Sequence, residues 1–298
     1  MCGAPVARAR VLGLRLNRSQ GASPRGKHGV AVGVMRCADC GLIFANPMPI
    51  PERLTDHYSM SGEEYWGEAY FELDPLYFGE EIATAKRLLD FRPGMTALDV
   101  GAGIGKAMLS LKAAGFEAYG LEPSPSFRRA AIERMGIDSA RLGSEPIEAA
   151  RIDVAFDLIT FGASLEHFYH PGLAIERAVG WLKPGGVVHF EVPSSDYLMS
   201  RVLNSYFRVV GTNYVTNISP MHPPYHLYEF TLKSFNKHGQ KLGYVVREHS
   251  FFQNGVFVPL PGPIRSLLST FMKRHDLGMQ LTVWIGRIGH ARGAGALH

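Results

Sequence analysis

Three glycines, each separated from the next by one residue, follow an apolar run that contains a single carboxylate. The stretch reads ALDVGAGIGK, and it holds Asp99, Gly101, Gly103 and Gly105. A glycine-rich turn between a strand and a helix lets the backbone approach a ligand closely. Such turns bind triphosphates, dinucleotides or adenosine-containing cofactors. The spacing of the glycines distinguishes among these three classes of ligand.

The residues around this turn argue against a triphosphate site. A phosphate-binding P-loop has a glycine, four further residues, and then Gly-Lys followed by serine or threonine. If Gly105 and Lys106 were that pair, the first glycine would fall on Val100 and the magnesium-binding hydroxyl would fall on Ala107. Neither residue is of the required type.

The same spacing disfavours a dinucleotide and favours S-adenosylmethionine (SAM). In the fingerprint G-x-G-x-x-G, the third glycine permits close helix packing beneath a pyrophosphate, and here that position is Lys106. SAM has no pyrophosphate and needs only a turn that passes close to its ribose and methionine parts. Glu122 ends the next predicted strand, where its carboxylate can accept hydrogen bonds from both ribose hydroxyls.

Strands and helices alternate around this turn, which predicts βαβ units and a parallel sheet. Predicted strands cover residues 96–100, 117–123, 156–162 and 185–193, with helices at 105–115, 124–136 and 171–182. Two late strands are predicted at 244–252 and 280–288, and a small hairpin at 30–37 and 41–47. Residues 3–30 show little periodicity and are expected to form a loop or to be partly disordered.

Four segments in this order resemble the motifs of class I SAM-dependent methyltransferases: ALDVGAGIGK, YGLEPS, FDLITFGASLEHFYHP and LKPGGVVHFEVP. The resemblance implies a Rossmann-like α/β fold. Its seven-stranded, mostly parallel sheet has helices on both faces and one antiparallel strand, at 280–288. RCADCGLIFANPMP and HLYEFTLKSFNKHGQKLGY are similar to a bacterial subgroup with a zinc-binding element ahead of the methyltransferase domain. Members of that subgroup are often labelled ubiquinone-biosynthesis-like.

The resemblance also implies which residues contact SAM. The cofactor turn would comprise Asp99, Gly101, Ala102, Gly103 and Gly105, and Glu122 would bind the ribose. Either Ser144 or Glu145 would contact the adenine, and the methionine side would be lined by Phe161, Gly162 and Ala163.

Two histidines are candidate general bases. Methyl transfer needs a nucleophile about 3 Å from the methyl group, in line with its bond to sulfur and away from water. An imidazole with a pKa near 6.5 can accept the proton of a hydroxyl nucleophile, and His167 and His226 both lie where an acceptor is expected. Their alternative role is to hold their loops by hydrogen bonds. Glu166 is expected to orient a neighbour, and Tyr65 and Trp66 either cover the cofactor or pack the N-terminal helices.

Three cysteines lie in the first 40 residues. Cys37 and Cys40 form a C-x₂-C pair, which is half of a structural zinc site with four ligands. Cys2 resembles the second cysteine of the other pair, whose first member would lie before Met1, and His28 is an alternative fourth ligand. Two alternatives stay open: a structural zinc ion, or a degenerate hairpin that has lost it.

The predicted organisation follows from these motifs. We expect a basic arm and degenerate zinc-ribbon hairpin at 1–50, N-terminal helices or a lid at 51–95, a methyltransferase domain at 96–290 and a tail at 291–298. Cap insertions are expected at 194–230 and 255–278.

The composition of the chain limits its possible binding partners and its cellular compartment. No apolar run approaches the roughly 18 residues of a membrane-spanning helix, and the cysteines suggest no disulfide framework, so we expect a cytoplasmic protein without a membrane partner. Residues 1–50 carry seven Lys or Arg against one acid. This arm is poor in the aromatic residues that single-strand binders use for stacking, so nucleic acid is not expected. The oligomeric state is open.

The sequence favours O-methylation of a small-molecule acceptor, with N- and C-methylation open. The alternatives are an NAD(P)-dependent oxidoreductase and a non-catalytic protein that binds SAM or nucleic acid.

Overall fold

The computed structural model describes residues 1–16, 32–50, 68–219, 225–252 and 261–288. His28, Tyr65 and Trp66 lie outside the described residues, as do the predicted tail at 291–298 and parts of both predicted cap insertions.

The described part of the chain contains strands and helices in the following order. The strands are β1 (Arg10–Arg15), β2 (Gly33–Arg36), β3 (Ile43–Asn46), β4 (Thr96–Val100), β5 (Glu117–Leu121), β6 (Leu142–Gly143), β7 (Phe156–Gly162), β8 (Leu182–Pro193), β9 (Tyr214–Val215), β10 (Tyr228–Glu229), β11 (Tyr244–Phe252) and β12 (Gln280–Arg287). The α-helices are α1 (Gly79–Leu89), α2 (Lys106–Ala113), α3 (Pro125–Glu133), α4 (Pro171–Gly180), α5 (Leu198–Val209), α6 (Leu232–Leu242) and α7 (Gly262–Arg274). Short 3₁₀ helices cover Val6–Arg8, Glu68–Phe71, Ser139–Arg141 and Leu165–His167.

A seven-stranded sheet has the order β11-β12-β8-β7-β4-β5-β6. Strands β4 to β8 pair in parallel, whereas β12 is antiparallel to both β8 and β11. The predicted mostly parallel sheet, with 280–288 as its antiparallel strand, is confirmed. The carboxyl ends of β4, β5, β7 and β8 therefore meet at one edge, which we call the cofactor edge.

Both faces of this sheet are buried, because helices cover both. On one face, Leu98 of β4 and Phe190 of β8 pack with Ile175 of α4 and Phe235 of α6. On the other face, the core includes Ala97, Leu158 and Val187 together with Ala85 of α1 and Leu111 of α2. Each buried Leu, Ile, Val or Phe side chain among them contributes about 1.5–3 kcal/mol by leaving water. The near-continuous apolar strands of the sequence match a sheet buried on two sides.

The ends of two helices follow directly from sequence. The Ser124 hydroxyl accepts a hydrogen bond from the Phe127 N–H at 3.4 Å, and Pro125 occupies the first turn of α3. Thr231 and Ser234 form a reciprocal capping box at the start of α6. Side-chain caps of this kind satisfy N–H groups that have no partner within the helix.

A second sheet has the order β10-β3-β2-β1-β9 and joins the N-terminal hairpin to the segment that follows α5. Strand β1 corrects the expectation that residues 3–30 form a loop. Gly13 lies at a register shift in β1, and a Cβ there would lie 2.3 Å from the Asn213 carbonyl oxygen. Pairing with β2 and β9 makes this stretch a strand, and such long-range pairing leaves little trace in local sequence.

Among the helices in the described ranges, none combines the length and apolar character needed to cross a bilayer.

Candidate active site

The glycine turn connects β4 to α2 with three left-handed residues. Gly101, Gly103 and Gly105 have φ angles of +77°, +55° and +83°. A Cβ on Gly101 would lie 2.8 Å from Ser164 Cβ, and one on Gly105 would lie 2.6 Å from Ile137 Cγ1. Glycine is therefore required at both positions for conformation and for space.

Glu122 is hydrogen-bonded to the turn. Its Oε2 accepts the Gly103 N–H at 2.7 Å, and its Oε1 accepts the Ser124 N–H at 2.8 Å. Burial raises the pKa of Glu122 to about 7, although these two hydrogen bonds oppose the rise. Burial, and then repulsion from Glu122, raises the pKa of Asp99 to about 7. Two carboxylates thus share a poorly solvated edge that suits hydroxyl groups and positive charge.

The predicted adenine contacts lie beside Glu122. The Glu122 N–H donates to the Gly143 carbonyl at 2.9 Å, so Ser144 and Glu145 follow directly at the same edge. A surface pocket here is lined by Ser144 and residues that include Pro123, Arg128 and Ile132. Ser144, one of the two alternatives, therefore lies on a concave surface next to the ribose candidate.

Tyr70 and Tyr77 lie over the turn, whereas Tyr65 and Trp66, expected either to cover the cofactor or to pack the N-terminal helices, lie outside the described residues. Lys106 Nζ lies 4.7 Å from the ring centroid of Tyr70 and 5.7 Å from that of Tyr77. Burial, and then the Asp99 carboxylate, raises the pKa of the Tyr77 hydroxyl. Both tyrosines belong to a stretch rich in aromatic residues between positions 58 and 78, which could have indicated a role near the cofactor. The sequence does not tell which rings of such a stretch reach the turn.

The residues predicted to line the methionine part of SAM lie partly in the core and partly at the surface. The Phe161 side chain is fully buried and stacks on Phe190 at 4.9 Å between centroids, so it belongs to the core and leaves only its backbone at the edge. Gly162 and Ala163 are exposed, and Ala163 has a φ of +49°. Ser164, which sequence reasoning did not select, donates a hydrogen bond to the Val100 carbonyl at 2.8 Å and ties this loop to the turn.

The two candidate bases, 59 positions apart in the sequence, lie side by side. The rings of His167 and His226 are 4.8 Å apart, and His226 Nε2 is 3.8 Å from Glu166 Oε1. His167 Nδ1 donates to the Tyr225 carbonyl at 3.0 Å, which sets its tautomer. The Leu227 N–H donates to the Glu166 carbonyl at 2.8 Å and holds the two segments together.

Glu166 is buried within this cluster. Burial, and then the charge of Glu191, raises the pKa of Glu166 to about 8. Its Oε2 has no hydrogen-bond partner among the described residues. A buried carboxylate next to an imidazole favours the protonated imidazole whenever the carboxylate is ionised.

The second sheet positions His226. Strand β10 pairs with β3 two residues after His226, and the Arg15 guanidinium lies 5.4 Å from the ring centroid of Tyr225. Glu229 accepts hydrogen bonds from Asn217 Nδ2 and the Ile218 N–H, both at 2.6 Å. The N-terminal hairpin thus supports the segment that carries a candidate base.

A further polar group lies on the α1 face of the sheet, and sequence reasoning did not select it. His189 Nδ1 and the Thr160 hydroxyl are 2.8 Å apart, and burial lowers the pKa of His189 to about 3. Glu191 accepts a hydrogen bond from the Gln280 amide, and burial, then the charge of Glu81, raises its pKa. His189 is therefore a neutral core histidine.

The three cysteines converge. Cys2 Sγ and Cys37 Sγ are 3.6 Å apart, and all three sulfurs lie within 4.8 Å of one another. Burial favours the neutral Cys37 thiol, but the N–H groups of Cys40 and Asp39 outweigh it, so the pKa of Cys37 is lowered. Burial raises the pKa of Cys40 to about 12. The three sulfurs are suited to be three of the four ligands of a structural zinc ion. Among the described residues, the cluster contains these three possible ligands and no fourth.

The sheet order, with its one antiparallel strand, and the glycine turn define a Rossmann-like α/β protein. Residues 77–249 match the family model described as a methyltransferase domain. This match covers more than half of the chain, which therefore belongs to the methyltransferase domain family. The predicted fold class and the predicted membership in a methyltransferase family are confirmed.

Curated relatives are similar over part of their length. The ubiquinone biosynthesis O-methyltransferase of Burkholderia cenocepacia is 31% identical over 133 residues, which are 43% of this chain and 54% of the relative. The enzyme of the same name from Azoarcus sp. is 30% identical over 132 residues, with the same two shares. The chain thus spans about half the length of these relatives.

Two solved structures share the fold. An S-adenosylmethionine-dependent methyltransferase from Clostridium acetobutylicum has a TM-score of 0.50 and 16% identity, covering 73% of this chain and 94% of its own. The magnesium protoporphyrin IX methyltransferase of Synechocystis with bound SAM has a TM-score of 0.50 and 11% identity, covering 78% and 95%.

Proposed function

We propose that the protein transfers the methyl group of SAM to an oxygen atom of a small molecule. The observation that carries this proposal is the arrangement of the cofactor edge. Glu122, bonded to the glycine turn at 2.7 Å, lies at the same edge as the loop that carries His167. Ser164 Oγ, bonded to the end of β4 at 2.8 Å, joins the two parts.

The residues of the turn fit SAM. Each Glu122 oxygen accepts one backbone hydrogen bond and retains a lone pair for a ribose hydroxyl. Bound SAM supplies an electrophilic methyl group on a positively charged sulfur. Asp99 and Glu122 stabilise positive charge at this edge, and binding in turn favours their ionised forms.

In this proposal His226 is the general base. His226 Nε2 would accept the proton of the acceptor hydroxyl while that oxygen takes the methyl group, and the sulfur of SAM would keep the electron pair of the broken carbon–sulfur bond. When its carboxyl group is ionised, which its raised pKa of about 8 favours at alkaline pH, Glu166 Oε1, 3.8 Å from His226 Nε2, stabilises the resulting imidazolium. His167 positions the segment through its bond to the Tyr225 carbonyl.

The cysteine cluster supports a structural zinc ion as part of the same proposal. Cys2, Cys37 and Cys40 would hold it, with a fourth ligand from outside the described residues. The ion would join the N-terminal residues to the β2–β3 hairpin and would take no part in methyl transfer. Free thiols without a disulfide also agree with a cytoplasmic protein.

Binding and turnover test the proposal separately. Isothermal titration is expected to detect S-adenosylhomocysteine binding that falls at least tenfold in Glu122→Ala, with exposed Glu176→Gln as the control. Radiolabelled methyl transfer to a panel of phenols and catechols, against matched amines, then tests the acceptor atom. Binding of NAD without S-adenosylhomocysteine would overturn the cofactor, and transfer only to amines would overturn O-methylation.

A further inference from the structure

Helices α5 and α7 expose a row of large apolar side chains. On α5, Val209 is 85% exposed, and on α7, Leu267 is 72% exposed. The full set, which we call the α5–α7 apolar surface, comprises Val202, Leu203, Tyr206, Val209, Ile264, Leu267 and Phe271. Large contiguous apolar patches on a protein surface commonly mark a binding site for another molecule.

The two helices are packed together at the cofactor edge. Met199 of α5 and Met272 of α7 are buried in one cluster, and the Leu198 N–H donates to the Leu277 carbonyl at 3.2 Å. Helix α5 follows the end of β8 and α7 precedes the start of β12. Pro193 and Gln280 pair directly across these two strands. The α5–α7 apolar surface therefore lies on elements attached to the edge that holds the candidate active site.

The charge of the two helices is entirely positive. Neither helix contains Asp or Glu, and together they carry Arg201, Arg208, Arg265, Lys273 and Arg274. Of the two acids that flank them, Asp196 is paired with Arg36 at 2.7 Å, and Asp276 follows α7. Helices with an apolar face and a basic polar face are typical of segments that lie in the interface of an anionic bilayer.

We propose that the α5–α7 apolar surface docks on a lipid bilayer that contains anionic lipids. The apolar side chains enter the boundary between headgroups and acyl chains, and the basic side chains contact lipid phosphates. Docking requires no spanning helix, so it agrees with the lengths of the helices described. It departs from the sequence-based expectation of no membrane partner, which rested on the lack of a spanning segment.

A second copy of the chain fits this surface less well. Two copies that buried the same face against each other would bring ten basic side chains together without an acid from either helix pair. Like charges across an interface weaken association. An anionic lipid surface instead supplies the opposite charge.

Vesicle co-sedimentation of the full chain, without SAM, tests the proposal independently of methyl transfer. Binding to phosphatidylcholine–phosphatidylglycerol vesicles is expected to exceed binding to pure phosphatidylcholine at least tenfold and to weaken with salt. Arg208→Gln and Lys273→Gln should each weaken it up to about fivefold. Val209→Glu with Leu267→Glu should weaken it at least tenfold.

Val154→Glu is the matched control, because Val154 is exposed and precedes β7 at the opposite edge of the sheet. Circular dichroism and thermal melting verify that each variant is folded, and single variants replace the double one if it unfolds. Equal binding to both kinds of vesicle, or binding unchanged by the glutamates, would overturn the proposal. The proposal would also be overturned if the wild-type protein were a dimer that does not bind vesicles and if the double variant were a monomer.

Discussion

The cofactor turn and the histidine cluster are neighbours at one edge of the sheet, but they are built differently. The turn comes from one contiguous stretch, whose glycines adopt φ angles of +55° to +83° that other residues rarely adopt. The cluster joins Glu166 and His167, after β7, to His226. Its geometry depends on β10 pairing with β3 and on Arg15 lying over Tyr225. Local backbone conformation therefore specifies the cofactor turn, whereas long-range packing specifies the histidine cluster that is proposed to act in catalysis.

The largest expected effect comes from removing the proposed base. His226→Gln should reduce turnover about a hundredfold or more while S-adenosylhomocysteine affinity stays within twofold of wild type. His167→Gln should reduce turnover less, and its pH profile should keep the wild-type shape, because His226 would still accept the proton. Steady-state kinetics from pH 6 to 9 and titration calorimetry make the comparison. If both variants lost turnover equally and also lost cofactor affinity equally, both histidines would have a structural role only.

The converse change breaks the turn and leaves the cluster in place. Gly101→Ala places a Cβ 2.8 Å from Ser164 Cβ at a φ of +77°. We expect cofactor affinity to fall at least tenfold, and the free energy of unfolding to fall by about 1–3 kcal/mol. Gly180→Ala is the control, because Gly180 has no heavy atom within 4 Å of its Cβ position and no positive φ. Wild-type affinity in Gly101→Ala would refute the assignment of the turn.

The pH dependence of the free energy of unfolding tests whether Glu166 of the histidine cluster is buried as a protonated group. Burial raises the pKa of Glu166 from 4.5 to about 8, so the folded protein keeps a proton that the unfolded chain loses. Its contribution to the free energy of unfolding is complete below pH 4.5 and is lost as the pH rises through about 8.

Glu166→Gln should therefore lessen the fall in stability between pH 5 and pH 8, by about 3–4 kcal/mol. Urea unfolding at both pH values measures it, with exposed Glu176→Gln as the control. The same slope in Glu166→Gln and in wild type would show that Glu166 does not titrate in this way.

The smallest expected effect concerns the aromatic cover of the turn. Lys106 Nζ lies 4.7 Å from the Tyr70 centroid, and an exposed contact of this kind contributes about 0.5–1 kcal/mol. Tyr70→Leu should weaken S-adenosylhomocysteine binding two- to fivefold in calorimetry, whereas Tyr70→Phe, which keeps the ring, should not. A loss in Tyr70→Phe equal to that in Tyr70→Leu would assign the effect to the hydroxyl.

Sequence predicted the parallel sheet because apolar strands and amphipathic helices have different periods, and the family resemblance implied its antiparallel strand. The caps at Ser124 and Thr231 also follow from local sequence, since a hydroxyl before a helical pattern has a local partner. Sequence reasoning missed β1, because Gly13 interrupts the pattern and only β2 and β9 make that stretch a strand. It assigned Phe161 to the cofactor side, but alternation along β7 turns that ring into the core.

The sequence by itself determined the family, the alternation of strands and helices in residues 96–193, and the turn that identifies the proposed cofactor. Each of these depends on short contiguous segments, in which backbone preference and side-chain spacing act directly. Only the tertiary structure decided that His226 lies beside Glu166, that three cysteines meet, that Tyr70 covers the turn, and that Met199 of α5 and Met272 of α7 are buried in one cluster. These contacts join residues as far apart as Met199 and Met272, which are 73 positions apart in the chain, and their geometry follows from how the sheets and helices pack.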